Sequence, residues 1–194
     1  MGTPTLKYTD ATAKLADYRH QIKAIREKIR ATQSAVEPQE VRDYEFLTPR
    51  GPVLLSSLFA DHDNLIVIHN MGSSCPGCTM WADGYTGIHH HVVTRAAFVI
   101  SSPDAPDVQQ KFAESRGWKF PMVSHKDTTF AEDMGYRTSR GFRPGISVFQ
   151  RSGAKLVRVS DTELGPYDDF CPVWHIFDLI PGGAGDWMPK LRYP

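Results

Sequence analysis

Two cysteines set three residues apart follow a continuous apolar run, and this junction restricts the possible folds more than any other feature of the chain. Residues 65–71 read LIVIHNM, which is typical of a strand buried on both faces of a parallel or mixed sheet. After CPGC, large apolar residues recur from Trp81 at steps of four, three and four, which predicts an amphipathic helix. Cys75 and Cys78 are therefore predicted at the edge of an α/β sheet, where functional sites usually collect.

The predicted elements around this junction alternate between strands and helices. Strands, including those of an early and a late hairpin, are predicted over residues 43–47, 52–55, 65–71, 96–101, 120–124, 145–150 and 154–160. In addition to the helix after the cysteines, helices are predicted over residues 11–36, 107–116, 127–134 and 175–180. This order predicts an α/β fold with a central mixed sheet and flanking helices.

Residues 1–38 are predicted to form a helical arm that Pro38 ends, ahead of one domain over residues 39–194. Apolar residues at alternating steps of three and four form a single stripe along the arm: Leu15, Tyr18, Ile22, Ile25 and Ile29. Basic residues occupy the other faces, which are expected to be solvated. The stripe needs a packing partner, either the main domain or a second copy of the chain, so a homodimer through this helix is one expectation.

The composition of the chain argues against several classes of protein. Lys+Arg and Asp+Glu are equal at 22 each, so no overall charge attracts nucleic acid. The apolar runs are too short to span a membrane, and the N-terminal residues do not resemble a secretory signal. Three cysteines do not make a disulfide framework. We therefore expect a reducing, cytoplasmic location, where a CxxC pair is more often catalytic or metal-binding than structural.

The spacing of the two cysteines suits dithiol chemistry. We expect Cys75 at the helix N-cap or in its first turn, and Pro76 at the first helical position, where the missing N–H costs nothing. Helix amides and the helix dipole stabilise a thiolate there and can lower a cysteine pKa from about 8.5 to ~3.5–7.5. Cys78, one turn further, can attack a mixed disulfide on Cys75. Thiol–disulfide exchange is thus the predicted activity, and Trp81 is close enough to flank a substrate groove.

A metal site is the main alternative use of the two cysteines. Structural zinc requires four ligands. The nearest candidates are His89, His90 and His91, which lie about 100° apart around one helix and cannot all face one ion. We therefore predict neither a metal nor another cofactor, and a non-catalytic interaction or metal-binding module stays open as an alternative to the enzyme.

Three other polar residues permit a functional interpretation beside a structural one. Cys171 has no sequence neighbour to pair with, and we expect a free, partly buried thiol, with a third thiol in a catalytic relay as the alternative. His69, inside the apolar strand, is more typical of a satisfied core histidine than of an acid or base. Asp83 is expected at a solvated helix position rather than as a proton acceptor.

The strand–CxxC–helix unit resembles the thioredoxin superfamily. Over residues 43–160 the chain is similar to the peroxiredoxin-like branch, the alkyl hydroperoxide reductase and thiol-specific antioxidant type, through DYEFLTPRGPVLLSSLF, FPMVSHKD and RPGISVFQRSG. It resembles more closely an uncharacterised bacterial family of predicted dithiol–disulfide oxidoreductases, through CPGCTMWADGYTGI and HIFDLIP. The resemblance implies a thioredoxin-like fold with an N-terminal arm and hairpin, and an enzyme that acts on a thiol or disulfide substrate, either a protein or a small molecule.

The resemblance also implies roles for the two residues before the late hairpin. Thioredoxin-like proteins place a cis-proline opposite the dithiol, and Pro144 stands at the matching position, with an ordinary trans proline as the alternative. Arg143 matches the peroxiredoxin arginine that stabilises the thiolate, with a surface arginine as the alternative. The peroxiredoxin motif Pro-x-x-x-Thr-x-x-Cys aligns its reactive cysteine with Cys78 and its threonine with Cys75. Loss of that threonine favours dithiol exchange, and a thiol peroxidase with Cys78 as the attacking thiolate is the alternative.

Overall fold

The computed structural model describes residues 5–194, in one unit that ends at Glu37 and a second unit from Pro38 to Pro194. The first four residues of the predicted arm lie outside the described range. In the first unit, helix α1 (Tyr8–Ser34) confirms the predicted helix, and none of its residues is buried. Its stripe residues are between 46% and 55% exposed. The helix therefore displays a continuous apolar surface.

An eight-stranded sheet forms the centre of the second unit. Its strands are β1 (Gln39–Val41), β2 (Glu45–Thr48), β3 (Gly51–Leu54), β4 (Asn64–His69), β5 (Ala97–Ser102), β6 (Met122–Ser124), β9 (Gly145–Ser152) and β10 (Lys155–Glu163). Their order is β1-β10-β9-β4-β5-β6-β2-β3. Strands β4, β5 and β6 are parallel and β9 is antiparallel to β4, which confirms the predicted mixed sheet.

The other elements of the second unit flank this sheet or lie at its edge. The short strands β7 (Arg137–Thr138) and β8 (Gly141–Phe142) pair with each other. The helices are α2 (Pro76–Val92), α3 (Pro106–Arg116), α4 (Phe130–Asp133) and α5 (Pro172–Phe177), and a 3₁₀ helix spans Leu55–Phe59. The last helix begins earlier than residue 175, where the prediction was wrong, because Pro172 fits the first helical position. Within residues 5–194, none of the helices combines the length and apolar character that crossing a membrane requires.

Side chains of β4 alternate between two apolar clusters on opposite faces of the sheet. Leu65 and Val67 belong to the first cluster, and Ile68 belongs to the second. The first cluster also includes Phe46, Phe59, Phe130 and Phe149. The second also includes Cys78, Trp81, Tyr85, Phe98, Ile100 and Trp174. Burial in the second cluster holds α2 against the sheet and fixes the position of Cys78.

Two buried histidines lie at the carboxyl ends of β4 and β6, which β5 separates in the sheet. His69 Nε2 is 2.8 Å from Ser147 Oγ, and His125 Nδ1 is 2.8 Å from Ser101 Oγ. Burial lowers the pKa of His69 well below 6.5 and, together with the charge of Arg137, lowers the pKa of His125 to about 4. His69 is confirmed as a core histidine, but it is only partly satisfied, because its buried Nδ1 has no hydrogen-bond partner among the described residues.

Because the pKa values of both histidines are lowered in the folded protein, we predict that acid destabilises the fold. Both bind a proton less readily in the folded than in the unfolded chain, so their contribution to stability is full above about pH 6.5 and decreases as the pH falls below it. For His125 the loss extends to a pH of about 4. We expect His125 alone to account for roughly 3 kcal/mol of the decrease in the free energy of unfolding. Urea unfolding of the wild type and of His125→Gln measures this, and an equal pH slope in the two proteins would contradict the prediction.

Candidate redox site

The turn between β4 and α2 is fixed by its own hydrogen bonds. The main-chain N–H of Asn70 donates to the Ser101 carbonyl at 2.9 Å, and its side-chain oxygen accepts from the N–H of Gly72 at 2.7 Å. Gly72 has a φ of 107°, a conformation that favours glycine. The Gly72 carbonyl in turn accepts from the N–H of Cys75 at 3.1 Å. The backbone therefore enters α2 in one defined direction.

Cys75 is the N-cap residue of α2, and Pro76 is the first helical residue, which confirms the predicted placement. The N–H of Cys78 donates to the Cys75 sulfur at 3.2 Å. The Cys75 side chain is half-buried, whereas that of Cys78 is only 2% exposed. Cys78 Sγ accepts from the N–H of Met71 at 3.4 Å. The thiol of Cys75 is thus partly exposed to solvent, and the thiol of Cys78 lies one helical turn deeper in the core.

The pKa values of the two thiols are shifted in opposite directions. The Cys78 thiol donates to the Cys75 sulfur, and this bond, with the N–H groups of Cys78 and Gly77, outweighs burial and lowers the pKa of Cys75 to about 6. The same bond and burial raise the pKa of Cys78 above its ordinary range. All three cysteines of the chain are free thiols. A pKa of about 6 favours a thiolate at Cys75 near neutral pH, and the raised pKa of Cys78 favours a protonated thiol beside it.

This arrangement predicts the titration of Cys75. We expect its thiolate ultraviolet absorbance and its alkylation rate to rise with a midpoint at about pH 6. Replacing Cys78 by alanine removes the thiol donor, and the midpoint should increase by roughly one to two pH units. Cys171→Ala is the matched control and should leave the midpoint unchanged. A wild-type midpoint near the ordinary value of about 8.5 would contradict the arrangement.

Residues 5–192 match the model of a family described as "Bacterial protein of unknown function (DUF899)". The chain belongs to this family. A comparison with curated protein sequences found no match. The predicted resemblance to an uncharacterised bacterial family is therefore confirmed.

Solved structures of peroxiredoxins are similar to this DUF899 chain. Peroxidoxin BcpB from Mycobacterium tuberculosis is 23% identical, with a TM-score of 0.56, over 65% of this chain and 84% of that chain. Peroxiredoxin Q from Xanthomonas campestris is 15% identical, with a TM-score of 0.56, over 68% and 87% of the two chains. A peroxiredoxin-like protein from Aquifex aeolicus is 12% identical, with a TM-score of 0.52, over 66% and 75%. The likeness confirms the thioredoxin-like α/β fold of the DUF899 chain.

Trp81 lies directly beside Cys75 of the DUF899 chain. A Cβ atom placed on Gly77 would be 3.4 Å from the Trp81 ring and 4.0 Å from Cys75 Sγ. The ring edge and the sulfur therefore border the same small space. Trp81 is only 5% exposed, so its ring packs beside Cys75 in the core and does not line an open groove.

Pro144 lies at the same sheet edge as Cys75 and Cys78, but its predicted cis conformation is wrong. Residues 5–194 contain no cis peptide bond. Trans is the lower-energy form of X–Pro bonds. Pro144 directly precedes β9, whose Gly145 pairs with His69 at the end of β4, and its carbonyl accepts from the N–H of Leu164 at 3.0 Å. Pro144 is an ordinary trans proline at a strand entrance.

Arg143 is placed at the protein surface. Its guanidinium forms an ion pair with Glu163, and the two side chains are 46% and 60% exposed. Its main-chain N–H donates to the carbonyl of Tyr136 at 2.8 Å. Within residues 5–194, no described hydrogen bond or ion pair joins Arg143 to either cysteine of the pair. Its role in stabilising a thiolate stays a prediction.

The burial of Cys171 and the hydrogen bonds of Asp83 differ from what the sequence predicts. Cys171 is fully rather than partly buried, at 2% exposure, and burial raises its pKa. Asp83 is not a freely solvated position, because its carboxylate accepts from both the guanidinium of Arg116 and Trp118 Nε1. It ties α2 to the end of α3. Both residues therefore contribute to packing around the helix that carries the redox pair.

The histidine run at the end of α2 does not gather into a ligand set. His89 packs edge-on against Phe98, with ring centroids 5.5 Å apart, whereas His90 and His91 are exposed. Among the described residues, no group of three or more His, Cys, Asp or Glu side chains is arranged to hold a metal ion.

The residues that fix the turn before Cys75 were missed by the sequence analysis. Asn70 followed by a glycine two positions later is a known turn signal and could have been recognised. Asp104, which accepts a hydrogen bond from the N–H of Ser73, lies after a different strand, and no local pattern connects it with the cysteines.

Proposed function

We propose that the chain is a thiol–disulfide oxidoreductase in which Cys75 is the nucleophile and Cys78 is the resolving thiol. The observation that carries this proposal is the asymmetry of the pair. The half-buried sulfur of Cys75 accepts an amide and a thiol hydrogen bond, and its pKa is lowered to about 6. The buried Cys78 supplies both donors.

The reaction follows from this asymmetry. The Cys75 thiolate attacks one sulfur of a substrate disulfide, whose S–S bond breaks, and the other substrate sulfur leaves as a thiolate that takes a proton from solvent. Once Cys75 is in a mixed disulfide, it no longer carries the charge that raises the pKa of Cys78. Cys78 then loses its proton, attacks Cys75 Sγ and releases the second substrate thiol. The substrate gains two electrons, and the protein ends as a Cys75–Cys78 disulfide that an external thiol reduces.

The substrate class is a disulfide, or a thiol in the reverse direction, on a protein or a small molecule. Burial of Cys78 supports this order of events, because a substrate can reach Cys75 first. A cytoplasmic location, where thiol reductants keep the pair reduced, accompanies the proposal.

Parallel assays test the proposal against a peroxidase. We expect the reduced protein to reduce oxidised glutathione or DTNB and to consume hydrogen peroxide slowly, because the buried Cys78 has a raised pKa. Cys75→Ser should lose the disulfide activity. Peroxide consumption that survives Cys75→Ser but not Cys78→Ser would instead establish the peroxidase. Stoichiometric zinc, with no reducible bond between the two cysteines, would establish the metal-binding module.

A second copy of the chain is the proposed partner of α1. The stripe has the alternating three- and four-residue spacing of a coiled-coil seam, and its residues are half-exposed. We expect light scattering to give twice the single-chain mass of 21.8 kDa, and Ile22→Lys with Ile25→Lys to restore the single-chain mass. Ala24→Lys, on another face of α1, is the matched control and should stay dimeric. A wild type with the single-chain mass would contradict the dimer.

A further inference from the structure

The carboxylate of Asp104 contacts two consecutive residues, Gly72 and Ser73, in the turn that leads to Cys75. Asp104 Oδ2 accepts from the N–H of Ser73 at 2.7 Å. A Cβ atom on Gly72 would lie 3.0 Å from Asp104 Oδ1 and 3.4 Å from Cγ, so the carboxylate fills the space that glycine leaves open. The contact joins residues 31 positions apart in the sequence. It therefore connects the turn after β4 with the segment after β5.

That segment is anchored in a buried polar network. The N–H of Asp104 lies 3.4 Å from Ser102 Oγ, and Ser102 is only 1% exposed. Gln109, at 2% exposure, donates from Nε2 to Ser102 Oγ at 2.8 Å and to the carbonyl of Val123 at 2.9 Å. Buried, hydrogen-bonded groups of this kind are rigid. Asp104 thus presents a fixed acceptor to the turn rather than following its movements.

The turn transmits this constraint to the reactive sulfur. The carbonyl of Gly72 belongs to the same peptide group as the Ser73 N–H that Asp104 holds, and it accepts from the N–H of Cys75 at 3.1 Å. If the peptide of Ser73 rotates, this bond loosens, and the N-cap geometry that aims the Cys78 N–H at Cys75 Sγ is lost. We propose that Asp104 is a positioning residue for the redox pair, whose carboxylate holds the turn so that the amide of Cys78 points at the Cys75 sulfur. The inference rests on the proposed function and deepens it.

The position of the Asp104 carboxylate and its negative charge shift the pKa of Cys75 in opposite directions. Variants of Asp104 can therefore separate the two effects. The negative charge near the start of α2 disfavours an anion on Cys75, so removal of the charge alone lowers the pKa of Cys75. Loss of the anchored acceptor withdraws hydrogen bonds from the thiolate and raises that pKa. Asp104→Asn keeps an oxygen acceptor without charge, Asp104→Glu keeps the charge but displaces it by one methylene, and Asp104→Ala removes both.

Titration of the Cys75 thiolate absorbance in the full chain, without substrate, tests the inference. We expect Asp104→Ala and Asp104→Glu to raise the midpoint by about one unit, and Asp104→Asn to leave it equal or slightly lower. Asp107→Ala, an exposed carboxylate in the first turn of α3, is the matched control and should match the wild type. Midpoints unchanged or lowered in both the Ala and Glu variants, even with reduced thermal stability, would overturn the role. Since Asp104→Glu retains the charge but displaces the carboxylate from the Ser73 N–H, it decides the outcome if the Ala variant fails to fold.

The same titration separates this inference from the proposed function. A wild-type midpoint near about 8.5 contradicts an activated thiolate and hence the proposed function. A wild-type midpoint near 6 with unchanged Ala and Glu variants overturns only the role of Asp104.

Discussion

Cys78→Ser is expected to accumulate a covalent mixed disulfide between Cys75 and its substrate. Under the proposed function, the half-buried Cys75 remains as the nucleophile in this variant, but the thiol that would release the product is absent. Turnover of a disulfide substrate should fall by about 10³-fold in Cys78→Ser and in Cys75→Ser, because the two thiols act as a unit. Mass spectrometry under non-reducing conditions measures the adduct, and only Cys78→Ser should carry it.

Cys171→Ser is the matched control for these two variants. Its thiol is buried and has a raised pKa, so its removal should leave both turnover and the adduct pattern at wild-type levels. Full exchange activity in Cys75→Ser would contradict the assignment of the nucleophile. Loss of activity in Cys171→Ser, without loss of stability, would instead support the relay in which a third thiol takes part.

Gly145→Ala is expected to destabilise the fold severely. A Cβ atom at this position would lie 1.9 Å from Tyr136 Cε1 and 2.8 Å from the backbone oxygen of Thr162. The Tyr136 hydroxyl donates to the carbonyl of Thr162 at 3.0 Å, with the carbonyl of Ile146 at 3.3 Å, so its ring cannot move aside without loss of these contacts. Overpacking of this kind typically costs about 1–3 kcal/mol, and we expect a value at or above the upper limit because backbone also clashes.

Gly165→Ala is the matched control for Gly145→Ala. A Cβ atom on Gly165 meets nothing within 4 Å, so its effect on the free energy of unfolding should stay within about 0.5 kcal/mol. Urea unfolding of the two variants and the wild type measures the difference. Equal midpoints for Gly145→Ala and Gly165→Ala would contradict the close packing of β9 against Tyr136.

Local patterns made the strand–CxxC–helix junction predictable. A continuous apolar strand, a proline at the first helical position and a periodic apolar face are each encoded within a few residues, so β4, the N-cap position of Cys75 and α2 follow from the sequence. The arm helix α1 is predictable for the same reason, since one period runs along its whole length. Burial of Cys78 also follows, because it lies on the apolar side of α2.

Contacts between distant segments were not predictable in the same way. The hydrogen bond from Ser73 to Asp104 depends on the register of β4 with β5, which the pattern of one strand does not encode. The carboxylate of Asp83 contacts the end of α3 for the same kind of reason. The error at Pro144 has another origin, because the cis conformation was carried over from a family resemblance rather than from the residues of this chain.

The most direct test of the account is a redox titration of the full chain in glutathione buffers, quenched with acid and followed by alkylation and peptide mapping. The account predicts one reversible two-electron transition in which a Cys75–Cys78 disulfide forms and disappears, while Cys171 stays a thiol at every ratio of oxidised to reduced glutathione. Cys75 and Cys78 that both remain open to alkylation across the whole range would contradict it.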